Sequence, residues 1–231
     1  MRYPATRRVE QTDDFHGTQV SDPYRWLEAS DTEEVRRWVA EQNRTTRRFL
    51  ERTAYAEPLR HRLTQLWDYE RFSQPVKRGG KYFFTRNDGL QNQPVLYVAD
   101  PLADEGRVLL DPNSLSEEGT TALSGWEPSD DGQYVAYGLQ RDGSDWQTWH
   151  VVETETGRRL LDEIRWVKFS SAAWSADSRG FYYSRYDEPK PGEEFVAANY
   201  HQKLYYHRLG DPQFQDRLIY ERPDEKEWGF S

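Results

Sequence analysis

The stretch Asp131-Gly132-Gln133-Tyr134-Val135-Ala136-Tyr137 carries the clearest fold signal in the sequence. Its Asp-Gly pair is typical of a tight turn, because glycine adopts the backbone angles that such turns require. The aromatic and β-branched run that follows is typical of a β-strand. The stretch therefore predicts a turn that leads directly into a strand.

The same pattern occurs twice more, at Gly79-Gly80-Lys81-Tyr82-Phe83-Phe84 and at Asp177-Ser178-Arg179-Gly180-Phe181-Tyr182-Tyr183. The three turns begin 52 and 46 residues apart. This spacing is close to the roughly 40 to 50 residues of a four-stranded propeller blade. A second strand candidate follows each turn, at residues 94–98, 149–152 and 204–207. The repeat is therefore a supersecondary unit, and it predicts about three blades of a β-propeller.

The third repeat is longer than the others because residues 187–194 are inserted between its strands. Their Pro, Gly and Glu content predicts a mobile loop. Ser231, the last residue, stands where Ser129 and Ser175 stand in the second and third repeats, two residues before the turn. We therefore expect the sequence to end inside a fourth blade, and the last complete blade to have an uncovered face.

The first 70 residues have a different character and predict an extended arm with two helices. Ser30 and Glu33 form a capping box, so the first helix should begin there and continue to about residue 51. Pro58 fits the first turn of a second helix, where no amide donor is needed. The apolar stripe of this helix consists of Leu59, Leu63, Leu66 and Trp67. The predicted domains are thus an arm over residues 1–70 and an incomplete propeller over residues 71–231.

Composition excludes several classes of protein. The 231 residues include 40 acidic and 31 basic side chains, which are spread along the chain and leave a formal net charge of -9. A nucleic-acid-binding surface needs clustered Lys and Arg, so no nucleic-acid partner is expected. The chain has no Cys, which excludes disulfides, thiolate metal sites and a cysteine nucleophile. Neither a membrane span nor a signal peptide is visible, and we expect a soluble, cytoplasmic protein without a membrane partner.

Motifs for catalysis and for metal binding are absent from the sequence. There is no G-x-S-x-G nucleophile elbow, no H-E-x-x-H zinc motif, no P-loop and no G-x-G-x-x-G that opens a helix. The five histidines lack metal-ligand spacing, so structural roles are expected for them. The sequence therefore predicts no catalytic residue, no metal and no cofactor in this chain.

Several strings resemble the prolyl oligopeptidase family, in the family's order and over essentially the whole chain. The strings in the arm are Tyr3-Pro4, Asp14-Phe15-His16-Gly17, Asp22-Pro23-Tyr24-Arg25-Trp26-Leu27-Glu28 and Glu41-Gln42-Asn43. Those in the β part are Gly89-Leu90-Gln91-Asn92-Gln93, Gly143-Ser144-Asp145-Trp146, Val167-Lys168-Phe169-Ser170 and His201-Gln202-Lys203-Leu204-Tyr205-Tyr206-His207. The arm strings are similar to those of oligopeptidase B as well, whereas the β strings favour the prolyl enzymes.

The resemblance implies a serine endopeptidase that hydrolyses short peptides on the C-terminal side of proline. It implies a seven-bladed propeller that gates access to a C-terminal α/β-hydrolase domain, which carries the Ser, Asp and His triad and is missing from this chain. This chain alone should then be inactive, and the full-length protein is expected to be a monomer. The arm would pack on the hydrolase domain. Its Trp26, Trp38 and Trp67 would pack either across that boundary or within the helical pair.

One residue of this chain is assigned to the substrate site by the resemblance. Phe169 resembles a propeller aromatic that lines an outer substrate subsite, and the alternative is a Phe in the blade core. Just after Trp228 the family can place Met near the same subsite, whereas this chain has Gly229. The insertion from Asp187 to about Gln202 resembles a flexible loop beside the substrate entry. It is either a gate or a surface loop without function.

Two other functions stay open at the level of sequence. The chain could be a propeller-type binding or interaction module without catalysis. It could also belong to an enzyme similar to oligopeptidase B, which would cleave after Lys or Arg rather than after proline.

Overall fold

A computed structural model describes residues 3–30, 32–101, 105–195 and 197–231. The chain divides into two compact units, Met1–Trp67 and Asp68–Ser231. The first contains the two helices, and the second is built from β-sheets. In the ranges described, no helix has the length and apolar character needed to cross a membrane.

The first unit consists of a β-hairpin, a short 3-10 helix and two α-helices. In chain order these are β1 (Thr12–Phe15), β2 (Thr18–Ser21), the 3-10 helix Arg25–Glu28, α1 (Glu33–Leu50) and α2 (Ala56–Trp67). The hairpin turns at His16 and Gly17, whose φ angles are +56° and +88°. Two-residue hairpin turns require such positive angles, which glycine adopts without strain. The turn signals of this segment thus mark a hairpin within the extended arm.

The start of α1 differs from the sequence prediction. The cap residue is Thr32, whose Oγ1 accepts a hydrogen bond from the Val35 amide at 3.4 Å. The prediction of a capping box at Ser30 was therefore wrong. Ser30 lies in the turn that closes the 3-10 helix, where its amide donates to the Glu28 carbonyl. A nearby Thr thus took the role that the spacing of Ser30 and Glu33 suggested.

Pro58 in the second helix and two of the arm tryptophans, Trp26 and Trp38, occupy well-defined local positions. Pro58 lies in the first turn of α2, as predicted. Trp26 and Trp38 pack edge to face with ring centres 6.5 Å apart. Their indole nitrogens donate to the Arg7 carbonyl at 2.9 Å and to Thr6 Oγ1 at 3.0 Å. These two tryptophans therefore hold the extended N-terminal segment against the 3-10 helix and α1.

Over its described residues the second unit contains three antiparallel sheets, which confirm the prediction of about three blades. The first sheet consists of β3 (Arg71–Phe72), β4 (Val76–Arg78), β5 (Lys81–Asn87), β6 (Val95–Ala99) and β7 (Arg107–Leu110). The second consists of β8 (Thr121–Pro128), β9 (Tyr134–Arg141), β10 (Gln147–Glu153) and β11 (Arg159–Val167). The third consists of β12 (Ala173–Trp174), β13 (Gly180–Arg185), β14 (Lys203–Arg208) and β15 (Arg217–Tyr220). Short 3-10 helices occupy Pro112–Ser114 and Gln213–Gln215.

The first strand of the first sheet is split in two. Both β3 and β4 pair with β5, one at each end of that strand. Pro75 lies in the gap, and proline cannot donate a ladder hydrogen bond. The Ser73 amide still donates to the Thr85 carbonyl at 2.9 Å. The two pieces together therefore do the work of the single first strand in the other sheets.

The three turns found in the sequence occupy equivalent positions, between the first strand of each sheet and the next. In the second sheet, Ser129 Oγ donates to Asp131 Oδ1 at 2.6 Å and accepts from the Tyr134 amide at 3.0 Å. In the third sheet, Ser175 Oγ donates to Asp177 Oδ1 at 2.7 Å. The repeated Ser-x-Asp is thus a local network that closes the turn.

Neighbouring turns also touch each other. The Gly79 amide of the first sheet donates to the Asp130 carbonyl of the second at 3.1 Å. A Cβ atom on Gly79 would overlap the carbonyl group of Asp131, so the close approach requires glycine there.

Two hydrophobic cores lie between successive sheets. Strand β9 contributes side chains to both cores, because its alternate residues point to opposite faces of the sheet. The first core contains Phe83, Leu96, Val98, Leu109, Val135, Tyr137, Leu139 and Val152. The second contains Ala136, Trp149, Val151, Ile164, Val167, Ala172, Phe181 and Tyr183. Each large apolar side chain contributes about 1.5–3 kcal/mol through burial, so face-to-face packing of blades is the main stabilising element.

Candidate functional site

One end of the blades collects the loops that the sequence singled out. Residues 88–94, 142–146 and 186–202 join the middle strands of the three sheets, and residues 168–172 lead from the second sheet to the third. Because the strands of each sheet alternate in direction, these loops lie at the end opposite to the three tight turns. We call it the loop end. Each of the four β strings that carry the family resemblance lies on it or begins there.

Phe169 projects from the loop end. Its side chain is 61% exposed, so it is not the blade-core Phe that was the alternative interpretation. Its φ angle is +55°, in the left-handed region that bulky residues rarely adopt. This backbone conformation breaks the strand-like alternation that would have turned the ring inward. The structure thus places an aromatic ring on the surface, next to a tightly held backbone.

Lys168, which precedes Phe169, is buried. Its Nζ lies 3.8 Å from the centre of the Trp146 ring and donates to Asn199 Oδ1 at 3.1 Å. Burial lowers the pKa of Lys168, and the nearby Asp145 carboxylate partly offsets that effect. A desolvated ammonium over an indole face contributes about 2 kcal/mol. Lys168 therefore joins the base of the Phe169 loop to the insertion.

Trp146 is the centre of an aromatic group at the loop end. Its ring packs edge to face against Trp166 at 5.5 Å and Tyr186 at 6.3 Å. Its Nε1 donates to the Glu194 carbonyl at 2.7 Å. The insertion forms no strand in its described residues, yet it is anchored to the second blade at Glu194 and Asn199.

Three large residues with positive φ angles occur around this group. They are Trp166 at +63°, Phe169 at +55° and His201 at +57°. Such conformations cost about 1–3 kcal/mol each and persist where the surrounding contacts hold them, often at functional sites. Residue type gives no signal for Trp166 and Phe169, whereas histidine is one of the types that adopt this region more often than average.

Gly229, which follows Trp228, lies beside the end of the insertion. A Cβ atom built on Gly229 would come within 3.1 Å of Gln202 Oε1. A larger residue there would press on the Gln202 side chain. The structure thus brings Gly229 and the insertion together.

Sequence reasoning missed a buried charged cluster between the second and third blades. His207 lies between two carboxylates, with Nε2 2.9 Å from Asp162 Oδ1 and Nδ1 2.7 Å from Asp216 Oδ1. All three side chains are buried. Burial lowers the pKa of His207, but the hydrogen bonds to both aspartates outweigh it and raise that pKa to about 9. The cluster lies away from the loop end and has a structural role, as expected for His207.

The other histidines show no catalytic arrangement. His16 forms the hairpin turn, His61 is exposed on α2, and His201 begins the string that leads into β14. His150 is buried beside Arg159, and burial followed by the Arg159 charge lowers the pKa of His150 to about 4. No group of three His, Cys, Asp or Glu side chains suited to a metal ion occurs among the described residues.

Comparison with known proteins agrees with this architecture. Residues 4–231 match the family model described as prolyl oligopeptidase, N-terminal beta-propeller domain. The prolyl endopeptidase of Elizabethkingia meningoseptica is 42% identical over 219 residues, which cover 95% of this chain and 31% of that protein. The Prolyl oligopeptidase A of Galerina marginata is 33% identical over 99% of this chain and 35% of its own length.

Solved structures give the same result. One from a study of two prolyl endopeptidases matches at a TM-score of 0.63 with 41% identity, covering 97% of this chain and 32% of that one. Prolyl oligopeptidase B from Galerina marginata, bound to a 35mer hydrolysis and macrocyclization substrate, matches at a TM-score of 0.77 with 31% identity over 98% of this chain and 34% of its own. The chain thus spans about a third of the length of these relatives. Since the family model covers nearly every residue, the chain belongs to the prolyl oligopeptidase N-terminal β-propeller family.

Proposed function

We propose that this chain is the arm and propeller portion of a serine peptidase that hydrolyses short peptides on the C-terminal side of proline. The observation that carries this proposal is the family match over residues 4–231, together with 42% identity to a prolyl endopeptidase. The β strings that favour prolyl enzymes over oligopeptidase B all lie on the loop end or begin there, where a substrate-specific surface would be expected.

The reaction itself is assigned to another part of the protein. This chain contains no G-x-S-x-G motif and spans about a third of its relatives. The Ser, Asp and His of the reaction would therefore lie in an α/β-hydrolase domain, and this chain alone would be inactive. Its own contribution is to bind peptide and to control which peptides reach the serine.

At the loop end, Phe169 is proposed to line an outer substrate subsite. Two observations support this role: the ring is exposed, and its backbone is held by the buried Lys168. An exposed aromatic on a rigid base can contact a peptide side chain without first losing conformational freedom. The insertion at residues 187–202 would gate access, and its anchors at Glu194 and Asn199 are contacts that can open and close.

The arm is proposed to pack on the hydrolase domain. Along α2, Leu59, Leu63 and Leu66 are 60%, 54% and 51% exposed. They lie on one stripe of the helix, as their spacing requires. Burying a leucine contributes about 1.5–3 kcal/mol, so a partner surface for this stripe would add substantially to the stability of the whole protein.

The test is an assay of the full-length protein with matched chromogenic peptides that carry Pro, Arg or Ala before the scissile bond. The proposal predicts cleavage after Pro, inhibition by a serine-directed inhibitor, and no turnover by residues 1–231 alone. A preference for Arg or Lys would favour an enzyme similar to oligopeptidase B. No turnover of any peptide by the full-length protein would favour a binding module.

A further inference from the structure

Gln202 lies at the C-terminal end of the insertion, and its side chain is buried. Its Nε2 donates to the Lys168 carbonyl at 2.9 Å. Its Oε1 accepts from the Phe230 amide at 2.5 Å. One side-chain amide therefore joins the insertion to two other segments of the chain.

These two partners have a specific position in the chain. The Lys168 carbonyl belongs to the peptide group that Lys168 shares with Phe169. The Phe230 amide belongs to the peptide group that Gly229 shares with Phe230. Gln202 thus bonds the two peptide groups that adjoin Phe169 and Gly229, the two positions that the sequence connected with an outer subsite.

The geometry makes this bridge stiff. The donor and acceptor belong to one planar amide, so their separation is fixed. The hydrogen bond to the Lys168 carbonyl is buried and the one from the Phe230 amide is partly buried, which limits competition from bulk water. The preceding residue, His201, donates its amide to the Lys226 carbonyl at 2.7 Å. The end of the insertion is therefore hydrogen-bonded, through His201 and Gln202, to the segment that carries Gly229.

We propose that Gln202 is a positioning residue that sets Phe169 and Gly229 relative to each other and so determines the selectivity of the outer subsite. This inference rests on the function proposed above. It adds that the subsite is complete only while the end of the insertion is docked, because Gln202 belongs to the insertion. The ligand is a peptide side chain that lies further toward the N-terminus than the proline.

The test uses the full-length protein and the near-isosteric substitution Gln202→Met, which removes both hydrogen bonds. Kinetics are measured on a short proline substrate and on one extended by an apolar residue toward the N-terminus. We expect KM for the extended substrate to rise about tenfold, while its kcat changes less than twofold. For the short substrate, both KM and kcat should change less than about twofold. The double variant with Phe169→Ala should lose no more than Phe169→Ala alone, since Gln202 acts through Phe169.

Gln133→Met is the matched control, because Gln133 is exposed near the opposite end of the blades. It should leave both substrates unchanged. Equal losses on the short and extended substrates in Gln202→Met, additive losses in the double variant, or unchanged kinetics would each overturn the positioning role.

A second variant and a second readout keep the result independent of folding and of the reaction assumed. Gln202→Glu keeps an acceptor for the Phe230 amide but loses the donor to Lys168. Hydrogen exchange at Phe230 should be about tenfold faster in Gln202→Met, yet near the wild-type rate in Gln202→Glu, while both variants show the KM defect. A wild-type KM in Gln202→Glu would contradict the proposal. If the wild-type protein prefers Arg or Lys substrates, the proposed function fails, and the same comparison on short and extended substrates of that kind still decides the role of Gln202.

Discussion

His207 Nε2 lies 2.9 Å from Asp162 Oδ1, so a histidine of the third blade is ion-paired with an aspartate of the second in the buried junction between them. Burial works against the charged imidazole, but Asp162 and Asp216 raise the pKa of His207 to about 9. In the unfolded chain this pKa is near 6.5. The stabilisation is therefore fully present below about pH 6.5 and is lost as the pH rises through about 9, by an amount on the order of 3 kcal/mol.

This linkage predicts that the free energy of unfolding falls between pH 7 and pH 10 in the wild-type protein. Denaturant titrations at several pH values measure it. His207→Gln should lower the free energy of unfolding by about 3–5 kcal/mol at pH 6, because it leaves two buried carboxylates without their cation. His207→Gln should also reduce the fall in the free energy of unfolding between pH 7 and pH 10. His61→Gln, at an exposed position on α2, is the control, and a parallel pH dependence in wild type and His207→Gln would refute the assignment.

The contact between Lys168 and Trp146 is expected to restrict the mobility of the insertion. Lys168→Met keeps the apolar stem but removes the charge over the ring and the hydrogen bond to Asn199. We expect proteolytic cleavage within residues 188–194 to become about tenfold faster, as for the loss of roughly 1.4 kcal/mol from a closed state. Lys190→Met, on the exposed part of the insertion, serves as control. Equal cleavage rates in wild type and Lys168→Met would contradict the anchoring role.

The position of Gly229 predicts coupling with Gln202. Gly229→Ala would bring a Cβ atom to 3.1 Å from Gln202 Oε1, so the side-chain amide must shift by a few tenths of an ångström. We expect a cost of about 0.5–1 kcal/mol in the wild-type background and none in a Gln202→Ala background. A double-mutant cycle of denaturant unfolding measures this difference. Costs that are the same in both backgrounds would show that the two residues do not press on each other.

We expect the serine of each Ser-x-Asp turn to contribute a similar amount to the free energy of unfolding. Ser129→Ala removes the acceptor of the Tyr134 amide and should cost about 1–2 kcal/mol. Ser175→Ala should cost a similar amount, because Ser175 Oγ donates to Asp177 as Ser129 Oγ donates to Asp131. Thermal unfolding measures both. Ser171→Ala, at an exposed position, should be nearly neutral, and a neutral effect at all three serines would show that the turn network adds no stability.

Much of the fold was predictable from local chemistry. The three turns at Gly79, Asp131 and Asp177 located the blades, because turn residues and aromatic strands leave a strong local signal. The last strands, such as Arg159–Val167, were missed because charged residues and an exposed Leu161 interrupt their pattern. At the start of α1, Thr32 and Ser30 are both good cap residues, and only the course of the preceding turn decides between them.

The site was less predictable, for a physical reason. The exposure of Phe169 depends on a positive φ angle that cannot be predicted from its residue type. The partners of Gln202 and of His207 lie 28 to 45 residues away along the chain in three of the four bonds described. Residue type shows that such side chains need partners, but only the packing of the blades selects them.

We propose that the loop end, and Phe169 in particular, faces the peptide substrate of a prolyl peptidase. Photo-crosslinking tests it directly, with the full-length protein and a proline-containing peptide that carries a benzophenone on the N-terminal side of the proline. We predict crosslinks at residues 168–170 that unlabelled peptide suppresses. Crosslinks confined to the tight turns at the opposite end of the blades, or crosslinks that the unlabelled peptide does not suppress, would contradict it.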